Sequence, residues 1–359
     1  MRTERITVRE TGPSDLDTVF NLLCQIYGRA LPYEAVARWV FHLDPSVFRA
    51  WVAYDEDRPV GLTTLQKRSL RWNDGELSAG YWGNLYVQPE YRKLMVYPRL
   101  VFAMLKEGSA SGVDLIYTAT RRPHVAEGHQ KLGFRQVGTL PVLIKPVRPF
   151  ALVVKHKSLG GGLLHLGRIL DRMYVLESIF RGIRTRSYGV NMDAATTSQA
   201  RASVVEMLNR SGARRISQKW KQEAFNERFQ TTIGGQPYEI LTAGNDGALD
   251  AALLCCGASR GNNISAFVIL DILFSPGKEM VLEALLVEAA KRANNLGSDC
   301  ILFLDGIGGT TRSILQKLGY RTTDEIYHIL VWPKERVPEA APVSDLANWR
   351  FAFSDHDAF

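Results

Sequence analysis

The sequence carries little that could bind metal, staple loops or cross a membrane. Its four cysteines, Cys24, Cys255, Cys256 and Cys300, show no C-x-x-C spacing and sit in apolar stretches. That excludes a zinc ribbon or a disulfide framework and points to buried, reduced thiols in a cytoplasmic protein. No apolar run is long enough for a membrane span, and the most apolar stretch, Ile264 to Phe274, is interrupted by Asp271. The opening, MRTERITVRE, is charged at once and has no apolar signal core. The spacing of His124 and His129 does not stack two ligands on one helix face, so no metal site is expected. Charge of one sign is also scarce: 44 basic residues face 37 acidic ones, a net +7. Without a basic stripe this excess suits an anionic small ligand, and no nucleic-acid partner is expected.

What is present is a globular profile, 46% hydrophobic and 23% charged over 359 residues, enough for two ordinary domains. The chain also writes one phrase twice. Gln-Lys-Leu-Gly followed by an aromatic occurs at Gln130–Phe134 and again at Gln316–Tyr320. Upstream of each copy lies an apolar run opened by Gly-x-Asp, GVDLIYTAT and GSDCILFLD, which reads as a buried strand. An amphipathic helix precedes each strand, over Pro98 to Ser109 and Lys278 to Asn294, and a further strand follows each copy, over Phe134 to Ile144 and Tyr320 to Trp332. Four matched elements at nearly one offset argue for tandem related domains.

Further strands lie ahead of each unit. AYDEDRPVG is a hairpin signal with its turn at Asp55-Glu56-Asp57-Arg58, and GELSAGYWGNLYV continues the meander. Before them, VRETGPSDLDTVFNLL reads as a strand and an amphipathic helix capped by Ser14. Between the halves, residues 160–187 place Leu163, Leu166, Ile169, Leu170, Met173, Leu176, Phe180 and Ile183 at helical spacing among arginines. Peripheral contact with an anionic membrane is one reading of that helix. Packing between the domains is the one composition favours. After Pro338 the alternation of Trp349, Phe351 and Phe353 suggests an extended arm docked on a domain.

In this order, VRETGPSDLDTVFNLL, AYDEDRPVG, NLYVQPEYRKLMVYPRL and HQKLGF resemble the GNAT acyltransferase superfamily across nearly all of residues 1–146. Tyr238 to Trp332 is similar in layout, with weaker motifs. The resemblance implies an α/β (α+β) chain of two tandem GNAT-like domains, each a mixed, mostly antiparallel sheet flanked by helices. The boundaries would be an N-terminal domain at 1–150, an amphipathic linker at 151–190, a C-terminal domain at 191–335 and a docked tail at 336–359. It also implies acetyl-CoA or another acyl-CoA as cosubstrate, held by the late fourth strand and the loop after it: Leu85, Tyr86, Val87, Arg92, Lys93, Leu94, Met95, Val96 and Tyr97. A helix N-terminus is a ready anion site. Met95 and Tyr97 stand where the family usually has glycine, which narrows the cradle, and Arg92 and Lys93 also fit a solvated charge pair. The second-half loop, LFSPGKEMVLEALL, lacks the opening Arg and suits an architectural role.

His129 stands where the family places the acid that protonates the departing thiolate, and Leu315 fills that place in the second copy. An ordinary imidazole pKa would make His129 a usable acid; a surface position on the last helical turn is the other reading. Tyr81, Trp82 and Asn84 lie on the strand that carries a base in family enzymes, yet none is a carboxylate. We take Tyr81 and Asn84, with His129, as the candidate catalytic set. The implied function is N-acyl transfer, most simply acetyl transfer, to a small amine or amino-sugar-like acceptor, by a cytoplasmic enzyme that could be a homodimer. A degenerate binding or scaffold protein and an aminoacyl-tRNA-dependent transferase are the alternatives.

Overall fold

The structure, a computed structural model, describes residues 5–28, 30–37, 48–73, 75–110, 112–159, 162–171, 190–191, 198–212, 214–230, 238–244, 249–333 and 342–356. The first half opens with β1 (Ile6–Glu10), α1 (Leu16–Tyr27) and α2 (Tyr33–Ala37). Ser14 does not cap α1. A 3-10 turn over Pro13–Asp15 precedes the helix, and the Asp15 carboxylate accepts from the Gly12 N–H at 3.0 Å. Then follow β2 (Phe48–Asp55) and β3 (Arg58–Trp72), joined as expected by a tight turn with Glu56 at φ 55°. β4 (Gly75–Val87), α3 (Val96–Ala110), β5 (Leu115–Thr120), α4 (Pro123–Lys131) and β6 (Arg135–Pro146) complete the half. α3 starts ahead of the expected Pro98, which sits in its first turn, where a missing N–H costs nothing.

α5 (Pro149–His156) and α6 (162–171) link to the second half. That half contains β7 (Val190–Asn191), α7 (Ser198–Ser211), β8 (Ser217–Gln218), α8 (Gln222–Gln230), β9 (Tyr238–Ala243) and β10 (Ala251–Arg260). β11 (Ile264–Phe274), α9 (Glu279–Asn295), β12 (Cys300–Leu304), α10 (Gly309–Lys317) and β13 (Arg321–Pro333) follow. The repeated Gln-Lys-Leu-Gly phrase is a helix stop in both copies. Gly133 and Gly319 take positive φ (97° and 89°), and the next residue donates back into the last turn: Phe134 N–H to the His129 carbonyl, Tyr320 N–H to that of Leu315, at 3.1 and 3.0 Å.

The strands form one sheet in the order β1-β2-β3-β4-β5-β13-β6-β12-β11-β10-β9-β7, with β8 on β3. The last strand of each half is exchanged. β13 lies between β5 and β6 of the first half, and β6 lies between β13 and β12 of the second. One face carries a core shared by both halves, from Leu77 and Tyr117 to Leu254, Val268 and Tyr327, covered by α7 and α8. On the other face α3 and α4 cover the first half and α9 and α10 the second.

Trp349, Phe351 and Phe353 are buried in the shared core, and the Arg350 guanidinium pairs with the buried Asp271 carboxylate at 2.5 Å. The expectation for the linker fails where it can be checked. Leu163, Leu166, Ile169 and Leu170 on α6 are exposed instead of packed between the halves. Met173, Leu176, Phe180 and Ile183 lie outside the described residues.

Candidate active site at the parting of two parallel strands

β4 and β5 pair in parallel only from Ala79–Leu115 to Tyr81–Tyr117, although both strands run on. The cause is local. The β3–β4 register breaks between Leu62 and Thr64, so that Asn84 and Leu85 share one opposing residue, and Asn84 takes φ 49°. Asparagine tolerates that left-handed conformation better than a branched residue would. Such a bulge bends its strand and turns backbone groups out of the ladder. Asn84 is held there by its side chain, which donates to Thr64 Oγ1 at 3.2 Å and lies 3.5 Å from the Tyr27 hydroxyl. The Thr118 hydroxyl bridges the parting strands by donating to the Trp82 carbonyl at 2.8 Å.

The parting opens a cavity of about 820 Å³. Its lining draws on the end of α1, on β4 from Tyr81 to Tyr86, on the end of β5 and the start of α4, and on Gly257–Gly261 and His356 of the second half. Four arginines line it, Arg92, Arg121, Arg122 and Arg260, and no carboxylate does among the described residues. Arg121 and Arg260, one from each half, converge on a single carboxylate, Glu325, at 3.4 and 3.6 Å. Low-dielectric walls of one charge sign favour an anionic occupant.

Of the residues expected to contact a cosubstrate, Leu85, Tyr86 and Arg92 line the cavity; Val87, Lys93, Leu94, Met95, Val96 and Tyr97 do not. Val96 is fully buried, so only its backbone could face a ligand; Lys93 is exposed and Leu94 half-buried. Val87 is buried at the end of β4, where its carbonyl accepts from Arg92 Nε at 3.3 Å. Neither Met95 nor Tyr97 is among the residues that line the cavity. Met95 keeps the glycine-like backbone, φ 60°, with its side chain out in solvent. Tyr97 turns inward to His129. The amides of Val96 and Tyr97 precede the first helical bond of α3, which the Arg99 N–H makes to the Met95 carbonyl, and so face the loop as at any helix start.

His129 is no surface residue. It is 3% exposed, its ring centroid 4.2 Å from that of Trp82 at a tilt of 45°, with Nδ1 2.8 Å from the Tyr97 hydroxyl. Burial pushes its pKa down to about 4, so the ring is neutral at pH 7, contrary to the expectation of a partly protonated acid. Burial also raises the Tyr97 pKa, so the phenol keeps its proton and is available to donate to Nδ1, the arrangement in which the ring carries its proton on Nε2. Tyr81 reaches the cavity from beneath, its ring under the Arg68 guanidinium at 4.1 Å. Tyr27, Arg121, Arg260 and His356 escaped the sequence reading. Only the Arg121-Arg122 pair, just after a buried strand, carried a local signal; the others come from distant segments.

The second half repeats the geometry and fills it. Asp271 stands as far from the end of β11 as Asn84 does from the end of β4, beside another register break, between Leu254 and Cys255. There Asp271 binds Arg350 and accepts from the Ser354 hydroxyl at 2.7 Å, while the Phe351 N–H donates to the Gly306 carbonyl at 3.4 Å. A Cβ on Gly306 would lie 1.9 Å from the Phe351 carbonyl oxygen, so only glycine admits the tail. Leu315 is fully buried.

A model of the acetyltransferase (GNAT) domain family matches residues 7–136. Among solved structures, Saccharomyces cerevisiae N-myristoyltransferase with bound myristoyl-CoA aligns with TM-score 0.64 at 12% identity, covering 91% of this chain and 82% of that one. A GCN5-related N-acetyltransferase from Anabaena variabilis aligns with TM-score 0.59 at 10% identity, over 91% and 72%. A GCN5-related N-acetyltransferase from Kribbella flavida gives 0.56 at 13%, over 92% and 72%. At such identities the likeness is one of fold. No functionally curated protein matches the sequence. Residues 7–136 thus match the GNAT acetyltransferase domain family, and the chain as a whole shares the fold of GNAT-type acyltransferases, with its last strands exchanged between the halves.

Proposed function

We propose that the first half transfers an acyl group from acyl-CoA to a small amine bound between the halves. The observation that carries this reading is the basic cavity at the β4 bulge, open between β4 and β5 and walled on its far side by the second half. Coenzyme A is a polyanion; Arg92, Arg122 and the first amides of α3 offer it a matching rim. A backbone N–H freed by the bulge near Leu85 would hold the thioester oxygen as it gains charge. The amine nitrogen attacks the carbonyl carbon, the C–S bond breaks as the C–N bond forms, and coenzyme A leaves as its thiolate, to be protonated by solvent water. His129 supports that step as a neutral Nε2–H donor, with Tyr97 fixing its tautomer. Asn84 and Tyr81 position the acceptor. His356, on the second-half wall, is placed to receive the amine proton. Acyl length is left to the depth of the cavity, with acetyl the simplest choice.

The scaffold reading draws its support from Met95 and Tyr97, yet neither side chain fills the cradle. Thermal unfolding with and without coenzyme A, acetyl-CoA and longer acyl-CoAs separates the two readings. An enzyme should rise in Tm with at least one donor, since a ligand that binds only the native state stabilises it. Hydrolysis or transfer of the acyl group, followed by free-thiol release over a panel of amines, then identifies turnover. Failure of every donor to shift Tm would leave the scaffold reading.

A further inference from the structure

Six of the thirteen large apolar side chains that the described residues expose lie on two adjacent short helices, α5 and α6. Phe150, Val153, Leu163, Leu166, Ile169 and Leu170 are between 37% and 56% exposed. The two helices form one body. α6 crosses α5 where Gly167 meets the backbone of Phe150 and Ala151, and the Asp171 carboxylate accepts from the N–H groups of Phe150 and Ala151 at 2.9 Å each. That body is anchored to the second half by Lys155, 2.6 Å from Asp299, and by Arg148, which donates to the Asn294 and Gly297 carbonyls. Its remaining cations, Lys157 and Arg168, are exposed, and its one acidic residue, Asp171, is buried in the cap. Monomeric surfaces seldom leave such an apolar patch uncovered.

We propose that α5 and α6 form an in-plane docking face for an anionic lipid bilayer. Apolar side chains flanked by cations, with no exposed carboxylate, match the boundary between acyl chains and negative headgroups. A second copy of the chain fits less well, because two such faces would bring like charges together. Among the described residues no helix is long and apolar enough to cross a membrane, so the contact is peripheral.

The test is flotation of the full chain with vesicles of phosphatidylcholine alone or mixed with phosphatidylglycerol. Binding is expected with the mixed vesicles only, weakening as salt is raised. Leu166→Glu with Ile169→Glu should abolish it, and Arg168→Glu should weaken it about fivefold or more. These positions are exposed, so an unchanged unfolding curve certifies that the variants fold. Three results would overturn the proposal: no flotation of the wild type, flotation indifferent to the Leu166 and Ile169 changes, or a wild-type dimer that those changes convert to monomer.

Discussion

At the scale of single residues, burial rather than identity sets what His129 can do. Its pKa falls from the ordinary 6.5 to about 4 because a charged ring would lose its hydration between Trp82 and Phe134. A depressed histidine contributes stability that is complete above about pH 6.5 and drains away as pH falls towards 4. The shift corresponds to roughly 3 kcal/mol. His129→Phe should therefore flatten the acid limb of the stability profile between those limits, as read by denaturant midpoints at stepped pH. An unchanged slope would assign the acid sensitivity elsewhere. In turnover, the same substitution should lower kcat by about 10²–10³-fold, the usual cost of one transition-state donor, with donor affinity nearly unchanged. The wild-type rate should show no titration of His129 between pH 5 and 8. Met95 poses a different question. A non-glycine residue at φ 60° costs about 1 kcal/mol, so Met95→Gly should raise the unfolding midpoint by up to that amount. Loss of stability would show that the exposed side chain has a contact worth more than the strain.

At the scale of elements, the tail latch is a buried ion pair and behaves as one. Asp271 is fully buried and Arg350 is 6% exposed. Arg350→Ala strands the carboxylate and should cost about 3–5 kcal/mol, whereas Asp271→Leu with Arg350→Met should recover most of that loss. Equal damage from the single and double changes would mean that packing, not charge, holds the tail. Asp355, beside the pair, is raised from 3.8 to about 6 by its burial and then by Asp271. A raised carboxyl penalises the native state once ionised, so the penalty is full above about pH 6 and fades as pH falls towards 3.8. Asp355→Asn should stabilise the chain at pH 7.5 and make little difference near pH 4. A gain at both would exclude ionisation as its cause.

At the scale of the molecule, strand exchange decides what can stand alone. Without the second half, β5 loses β13 on one edge and β6 loses both of its neighbours. We propose that the boundaries near 150, 190 and 335 divide the sequence repeat and not the folding unit. A chain ending at His156 should be insoluble or melt well below the whole protein, because exposed strand edges template aggregation. A soluble, monomeric and equally stable fragment would refute this. The exchange also places Arg260 and the tail against a cleft formed by the first half, so that the second half walls the cavity.

The sequence by itself determined the local grammar. Two Gln-Lys-Leu-Gly stops, the Asp55–Arg58 hairpin and the buried strands after each Gly-x-Asp follow from periodicity and turn chemistry, which act over a few residues. The family likeness of residues 1–146 was legible for the same reason, since it rests on motifs in order. Ser14 as cap failed because Asp15 could reach back to the Gly12 N–H and Ser14 gained nothing comparable. Only the tertiary structure decided that β6 and β13 change places, since either half offers each strand the same alternation of side chains. It alone brought His356 and Arg260 to the cavity from remote segments. It also turned His129 from a plausible cation into a neutral donor, because desolvation is a property of surroundings that no single residue carries.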